Sequence, residues 1–145
     1  EEDAKDVFGI EAEATDIYAG EINREGYKSV AKQLADKFGF EKVAITLRAS
    51  IPASDNDWAG MLYDGKDYCF SKSYHLHIVD RVGGGDSFGG GLIYALLSGK
   101  DTQAAVEFAV AASALKHSIE GDYNFVTVPE VEKLAGGDGS GRVQR

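Results

Sequence analysis

The chain has 145 residues, 43% of them hydrophobic, with 15 Lys and Arg against 24 Asp and Glu for a formal charge of -9. That length and apolar share predict one globular domain around a single sizeable core and set aside a disordered or fibrous chain. An acidic excess with no basic cluster repels a phosphate backbone, so nucleic acid is not an expected partner, whereas backbone amides can still hold a small phosphate locally. The single Cys69 excludes an internal disulfide, three histidines form no cluster at zinc-ligand spacing, and no apolar run nears the ~20 residues that span a bilayer. A reducing, cytoplasmic setting is expected, with no metal held by the protein alone and no membrane partner. Glu1-Glu2-Asp3 is not a secretory signal, and the lack of an initiator Met is expected to reflect a trimmed start.

In chain order, Val30, Ala31, Leu34 and Phe38 recur at helical spacing after Tyr27, and Gly39 stands where a left-handed C-cap belongs, which predicts a helix over 26–38. The apolar run 42–47 predicts a short strand buried on both faces. Residues 48–57 include Pro52, Asn56 and several Ser and Asp, and predict a loop. Asp64-Gly65 between the runs 58–63 and 68–71 signals a hairpin, and 75–79 predicts a further strand leading into glycines. Residues 88–97 and 104–118 are Ala-rich and apolar on more than one face, as in helices packed on a sheet and on each other. The pattern is α/β. The end, 136–145, is glycine-rich and predicts a flexible tail.

The segment most informative about chemistry is Asp80-Arg81-Val82-Gly83-Gly84-Gly85-Asp86-Ser87-Phe88, between a predicted strand and a predicted helix. Three consecutive glycines let the backbone turn sharply and approach a ligand without a Cβ in the way. Amides converging there, at the positive end of a helix starting near Asp86, suit an anion such as a phosphoryl group developing charge. Asp86 stands at the same mouth, where a carboxylate can take the proton of an attacking hydroxyl. The same residues also fit a tight strand-to-helix turn with Asp86 as its N-cap. No Gly-x-x-x-x-Gly-Lys-[Ser/Thr] occurs, so a P-loop is excluded.

Asp-x-x-Gly-[Ala/Gly]-Gly-Asp-[Ser/Ala]-Phe resembles the carboxyl-terminal signature of the PfkB, or ribokinase-like, carbohydrate kinases, and residues 80–88 match it with Arg81 as the unusual position. The resemblance implies Asp86 as catalytic base and the amides of Gly83, Gly84 and Gly85 as an anion hole over the transferring phosphate of ATP. It implies magnesium as companion ion and leaves a monovalent cation such as potassium open. Thr46-Leu47-Arg48-Ala49-Ser50 resembles the family's strand-end loop lining the ATP site. Gly121-Asp122, after the long helix, resembles 2-keto-3-deoxygluconate kinases, whose matching aspartate contacts the sugar acid; a carboxylate suits vicinal hydroxyls, although a helix-ending turn also favours Gly-Asp.

The likeness runs along nearly the whole chain. It implies a three-layer α/β/α sandwich of which this is the carboxyl-terminal portion: 1–135 the ATP-binding and catalytic part, 136–145 the tail, and the amino-terminal sugar and lid part missing. Such a piece is expected to associate with itself or with the missing half. The alternatives are a ribokinase- or fructokinase-like enzyme acting on another sugar, and a non-catalytic nucleotide-binding module. His75 and His77 share a strand face without a third ligand, and His117 is read as offsetting a helix dipole.

Overall fold

The computed structural model describes residues 2–10, 24–50 and 55–137. It is built on a four-stranded antiparallel sheet with β2 (Asp55–Tyr63) at its centre. Along one edge of β2 runs β1 (Val43–Ser50); its other edge is shared by β3 (Tyr68–Phe70) and β4 (Tyr74–His77). Side chains alternate along β2 as a strand requires. Ala59, Met61 and Tyr63 join a core with Val43, Ile45 and Leu47 of β1 and with α2 (Arg24–Phe38), while α1 (Glu2–Phe8) adds Ala4. Trp58 and Leu62 point the opposite way, into a core with α3 (Gly84–Leu97), α4 (Thr102–Lys116) and α5 (Val128–Gly136). Helix, sheet and helix thus form the three expected layers.

Local sequence explains the elements. In α2 the buried Val30, Ala31 and Leu34 lie on one face, and Gly39, with φ 71°, donates its N–H to the Ala35 carbonyl as the C-cap. Asp64 Oδ1 accepts the N–H groups of Lys66 and Asp67 at 3.0 and 2.8 Å, and Gly65 takes φ 92°, closing the β2–β3 hairpin. The Asp101 side chain caps α4 by accepting the Ala104 N–H at 2.8 Å. Glu130 accepts both the N–H and the hydroxyl of Thr127 at 2.7 Å at the start of α5.

Four expectations change. The strand predicted over 42–47 extends to Ser50 and β2 begins at Asp55, so 48–50 and 55–57 of the predicted loop are strand; 51–54 lie outside the described residues. It is β2 that is buried on both faces; β1, paired along one edge, alternates between buried Val43, Ile45, Leu47 and half-buried Ala44, Thr46. The helix after the glycines begins at Gly84, because Gly83 itself supplies the left-handed entry. Gly136, expected as the first residue of the tail, is the last residue of α5, and 138–145 lie outside the described residues.

Candidate active site

The glycine run departs from β4 and turns into α3 under tight steric control. Gly83 adopts φ 77°, a conformation L side chains rarely take, and a Cβ there would collide with the backbone carbonyl oxygen of Asp122. A Cβ at Gly84 would come within 2.6 Å of the His117 ring. At Gly85, by contrast, no atom lies within 4 Å of where a Cβ would stand. Gly83 lets two backbones meet and Gly84 makes room for the His117 ring, whereas Gly85 leaves open space at the start of the helix.

The amides divide in the same way. Gly84 N–H turns back to the Arg81 carbonyl at 3.2 Å, and Ser87 N–H makes the first helical bond, to Gly83, at 2.9 Å. Gly85 and Asp86, at the second and third helical positions, have no intrahelical acceptor by the geometry of a helix start. Gly84's amide is thus engaged within the turn, and the amides of Gly85 and Asp86 are ones that a helix start leaves without an intrahelical partner.

Asp80, the first aspartate of the motif, holds this turn to the segment after α4. Its carboxylate accepts the Val82 N–H at 3.0 Å and the Gly121 N–H at 2.9 Å, and these bonds, with Lys116 nearby, hold its pKa below the ordinary carboxylate value. Gly121 itself needs φ 84°. Val79 and Asp80 also donate their N–H groups to the His117 carbonyl, at 2.9 and 3.3 Å. Asp122 is thereby laid against the glycine turn.

Asp86 and Asp122 consequently border one cavity of about 440 Å³, whose wall includes Ser87, Tyr94, Phe108 and Asn124. Both aspartates are exposed. Asn124 fixes the loop that forms the cavity's far side, donating to Ser87 Oγ at 3.1 Å and the Ala112 carbonyl at 3.3 Å while accepting the Val126 N–H at 3.1 Å. Two carboxylates on one apolar-walled cavity beside the start of α3 can bind hydroxyls and accept a proton.

Thr46 to Ser50 belong to strand β1 rather than to a loop, and Thr46, Leu47 and Arg48 are not among the residues bordering this cavity. Leu47, only 1% exposed, belongs to the α2 core, and Thr46 and Arg48 stand opposite Gly60 and Trp58 on the other face. An apolar strand continuing into Arg-Ala-Ser reads locally like a strand end; only the pairing with β2 extends it.

The three histidines and Arg81 have partners of their own. His75 and His77 pair across the strands with Asp57 and Asp55, each at 2.9 Å. His117 is buried, its ring 4.9 Å from that of Trp58, with Nδ1 on the Ser113 carbonyl at 2.7 Å. Burial pushes its pKa down, so it is held neutral rather than offsetting the helix dipole. Arg81, unusual in the motif, reaches the side-chain carbonyl of buried Asn56 at 2.9 and 3.1 Å once that amide is oriented to satisfy both groups. Sequence reasoning gave no role to Asp80, Asn124 or Lys116; for Asp80 the signal was its place as the first motif residue.

Residues 7–139 match the pfkB family carbohydrate kinase domain. A 2-dehydro-3-deoxygalactonokinase of Haloferax volcanii is 33% identical over 111 residues, which are 76% of this chain and 32% of that protein. Among solved structures, the 2-dehydro-3-deoxygluconokinase of Thermotoga maritima superposes with a TM-score of 0.84 at 47% identity, covering 94% of this chain and 40% of that one. A PfkB family carbohydrate kinase of Listeria grayi gives 0.77 at 32% identity, covering 94% and 39%. The chain thus spans between 32% and 40% of the length of these relatives. No helix among the described residues is long and apolar enough to cross a membrane.

Proposed function

The chain belongs to the pfkB family of carbohydrate kinases, and from that premise we propose that it is the carboxyl-terminal, ATP-binding and catalytic part of a kinase converting 2-keto-3-deoxygluconate to its 6-phosphate in the cytoplasm. The observation that carries this reading is the placing of Asp86 and Asp122 on one cavity beside the start of α3. Its support from the comparisons is that the similar proteins named above include enzymes for two 2-dehydro-3-deoxy sugar acids.

In the proposed reaction Asp86 accepts the proton of the attacking hydroxyl, while the Gly85 and Asp86 amides and the α3 dipole face the transferring phosphoryl group. Gly83 and Gly84 keep that turn in register with Asp122, whose carboxylate accepts hydrogen bonds from the sugar acid's hydroxyls. The open space at Gly85 is what a phosphate lying against the backbone requires. Magnesium, arriving with the nucleotide phosphates, supplies charge neutralisation. Residues 1–135 form this part, and the remaining length of a full family member supplies most of the sugar pocket.

The test is ATP turnover by the complete protein across a panel of sugars and sugar acids. The highest kcat/KM is expected for 2-keto-3-deoxygluconate. Preference for ribose or fructose would move the assignment to another sugar kinase, and no turnover of any of them would end it.

A further inference from the structure

The residue by which the glycine segment departs from its motif is Arg81, which is not among the residues bordering the cavity of Asp86 and Asp122. Its side chain reaches back to the sheet. With the Asn56 amide oriented to satisfy both groups, Nη1 and Nη2 of Arg81 donate to its carbonyl oxygen at 2.9 and 3.1 Å, and its nitrogen donates to the Asp55 carbonyl at 3.0 Å. Asn56 is 1% exposed, and a buried amide oxygen left without a donor is costly, so the guanidinium meets a need of the sheet. The backbone of Arg81 meets a need of the helix. Its carbonyl accepts the N–H of Gly84, the first residue of α3, at 3.2 Å. One residue thus grips β2 with its side chain and the start of α3 with its main chain.

The grip falls at a particular place in the sheet. Asn56 stands opposite Ser50 of β1 on one side and Leu76 of β4 on the other. Both strands run antiparallel to β2, hence parallel to each other, and their carboxyl ends, Ser50 and His77, lie beside Asn56. Ligands of open α/β sheets gather outside such ends. We propose that Arg81 is a positioning residue: through Asn56 it fixes the glycine turn to the ends of β1 and β4, so that the start of α3 and the Asp86 carboxylate keep one place relative to the sheet. Arginine suits the task because its planar fork sends two N–H groups to one oxygen in a fixed geometry. The consequence for turnover rests on the kinase reading above; the consequence for the backbone does not.

A double-mutant cycle on the complete protein tests this. Arg81→Met removes the donor fork, and Asn56→Leu, of similar shape, removes its acceptor while leaving the charge of Arg81 in place. Each variant should lose about tenfold in kcat with both Michaelis constants within about twofold of wild type. The two together should lose no more than either alone, because the second substitution finds no tie left to break. Hydrogen exchange should show the amides of Gly84 and Ser87 losing at least about tenfold in protection in each variant while those of α2 keep theirs, as expected for a local opening. Unchanged exchange in Arg81→Met, or losses that multiply in the double variant, would overturn the proposal. So would wild-type exchange and kcat in Asn56→Leu, which would assign the effect of Arg81 to its charge. Should Asn56→Leu fail to fold, the exchange of Arg81→Met decides alone. A wild type without kinase activity, in which the two substitutions loosen the turn no further together than singly, would refute the kinase reading and uphold the role of Arg81.

Discussion

The two faces of β2 solve different problems with one strand. On the α2 side, Leu47, Met61, Val30 and Leu34 meet through large aliphatic side chains, and helix and sheet stand apart by their thickness. On the α4 side glycines let the elements come closer. A Cβ at Gly60 would lie 2.8 Å from the Val110 side chain, and one at Gly91, where α3 meets α4, would lie 3.1 Å from the Ala112 Cβ and 3.3 Å from the Ala109 backbone. Thick packing tolerates exchange of one apolar residue for another of like volume. Thin packing does not, but it lets Gly83 sit against the Asp122 backbone and so sets the two aspartates on one cavity. The cavity bordered by Asp86 and Asp122 lies on the α4 side.

The sharpest way to break that contrast is to remove chemistry while leaving packing alone. Asp86 is exposed, so Asp86→Asn should leave the melting temperature and the KM for ATP near wild type while kcat falls roughly 10²- to 10⁴-fold, the range for a lost general base. Near-normal turnover would reduce the aspartate to a residue of the helix's first turn.

The converse variant lies on the other face. Leu47→Ala opens a cavity in the α2 core, with an expected loss of about 2–5 kcal/mol in unfolding free energy. Because the side chain points away from α3 and α4, both Michaelis constants should stay within about twofold of wild type. A raised KM for ATP without a fall in stability would return the segment from Thr46 to Ser50 to the nucleotide site.

How much of this was legible in the sequence follows the same division. The helix over α2, the hairpin at Asp64-Gly65 and the glycine run were readable because each depends on local signals: period, turn chemistry and a motif. The extent of β1 was not, since it is fixed by pairing with β2, and Arg48 to Ser50 carry no apolar pattern that would announce a strand. The engagement of Gly84's amide by Arg81 was equally out of reach, because a motif gives the order of glycines and not the direction of their N–H groups. Asp80 and Lys116 join segments far apart in the chain, and nothing in the spacing of Asp80 and Gly121 marks the bond between them. The shared cavity of Asp86 and Asp122 was anticipated only through resemblance; the fold supplies the reason, which is the Asp80 clamp.

Asp122 tests whether that shared cavity has a division of labour. Asp122→Ala should raise the KM for 2-keto-3-deoxygluconate roughly ten- to a hundredfold, as for loss of a charged hydrogen-bonding group worth about 1.5–3 kcal/mol, with the KM for ATP almost unchanged. The backbone of Asp122, which meets Gly83, is retained in the variant, so the melting temperature should hold. A lowered melting temperature with an unchanged sugar-acid KM would make Asp122 a turn residue only.

The smallest effect concerns pH, and it bears on whether the thin face is also the more readily opened one. His117 is buried under Gly84, and this desolvation, helped by the positive charges of Lys116 and Arg81, pushes its pKa below the ordinary 6.5; the hydrogen bond to the Ser113 carbonyl acts the other way. The unfolded chain therefore takes up a proton on this ring at a higher pH than the native state does. Stability from the neutral ring is fully present above pH 6.5 and declines as pH falls through the window beneath it, levelling off once the folded ring is protonated too. Hydrogen exchange between pH 7.5 and 5.5, corrected for intrinsic rates, should show the amides of α4 and the glycine turn losing protection while those of α2 do not. Replacing His117 with Asn, which keeps a donor for Ser113 and gains no proton, should flatten the difference. Equal loss on both faces would mean that the molecule opens as one unit, and the thin face would then differ from the thick one in chemistry alone.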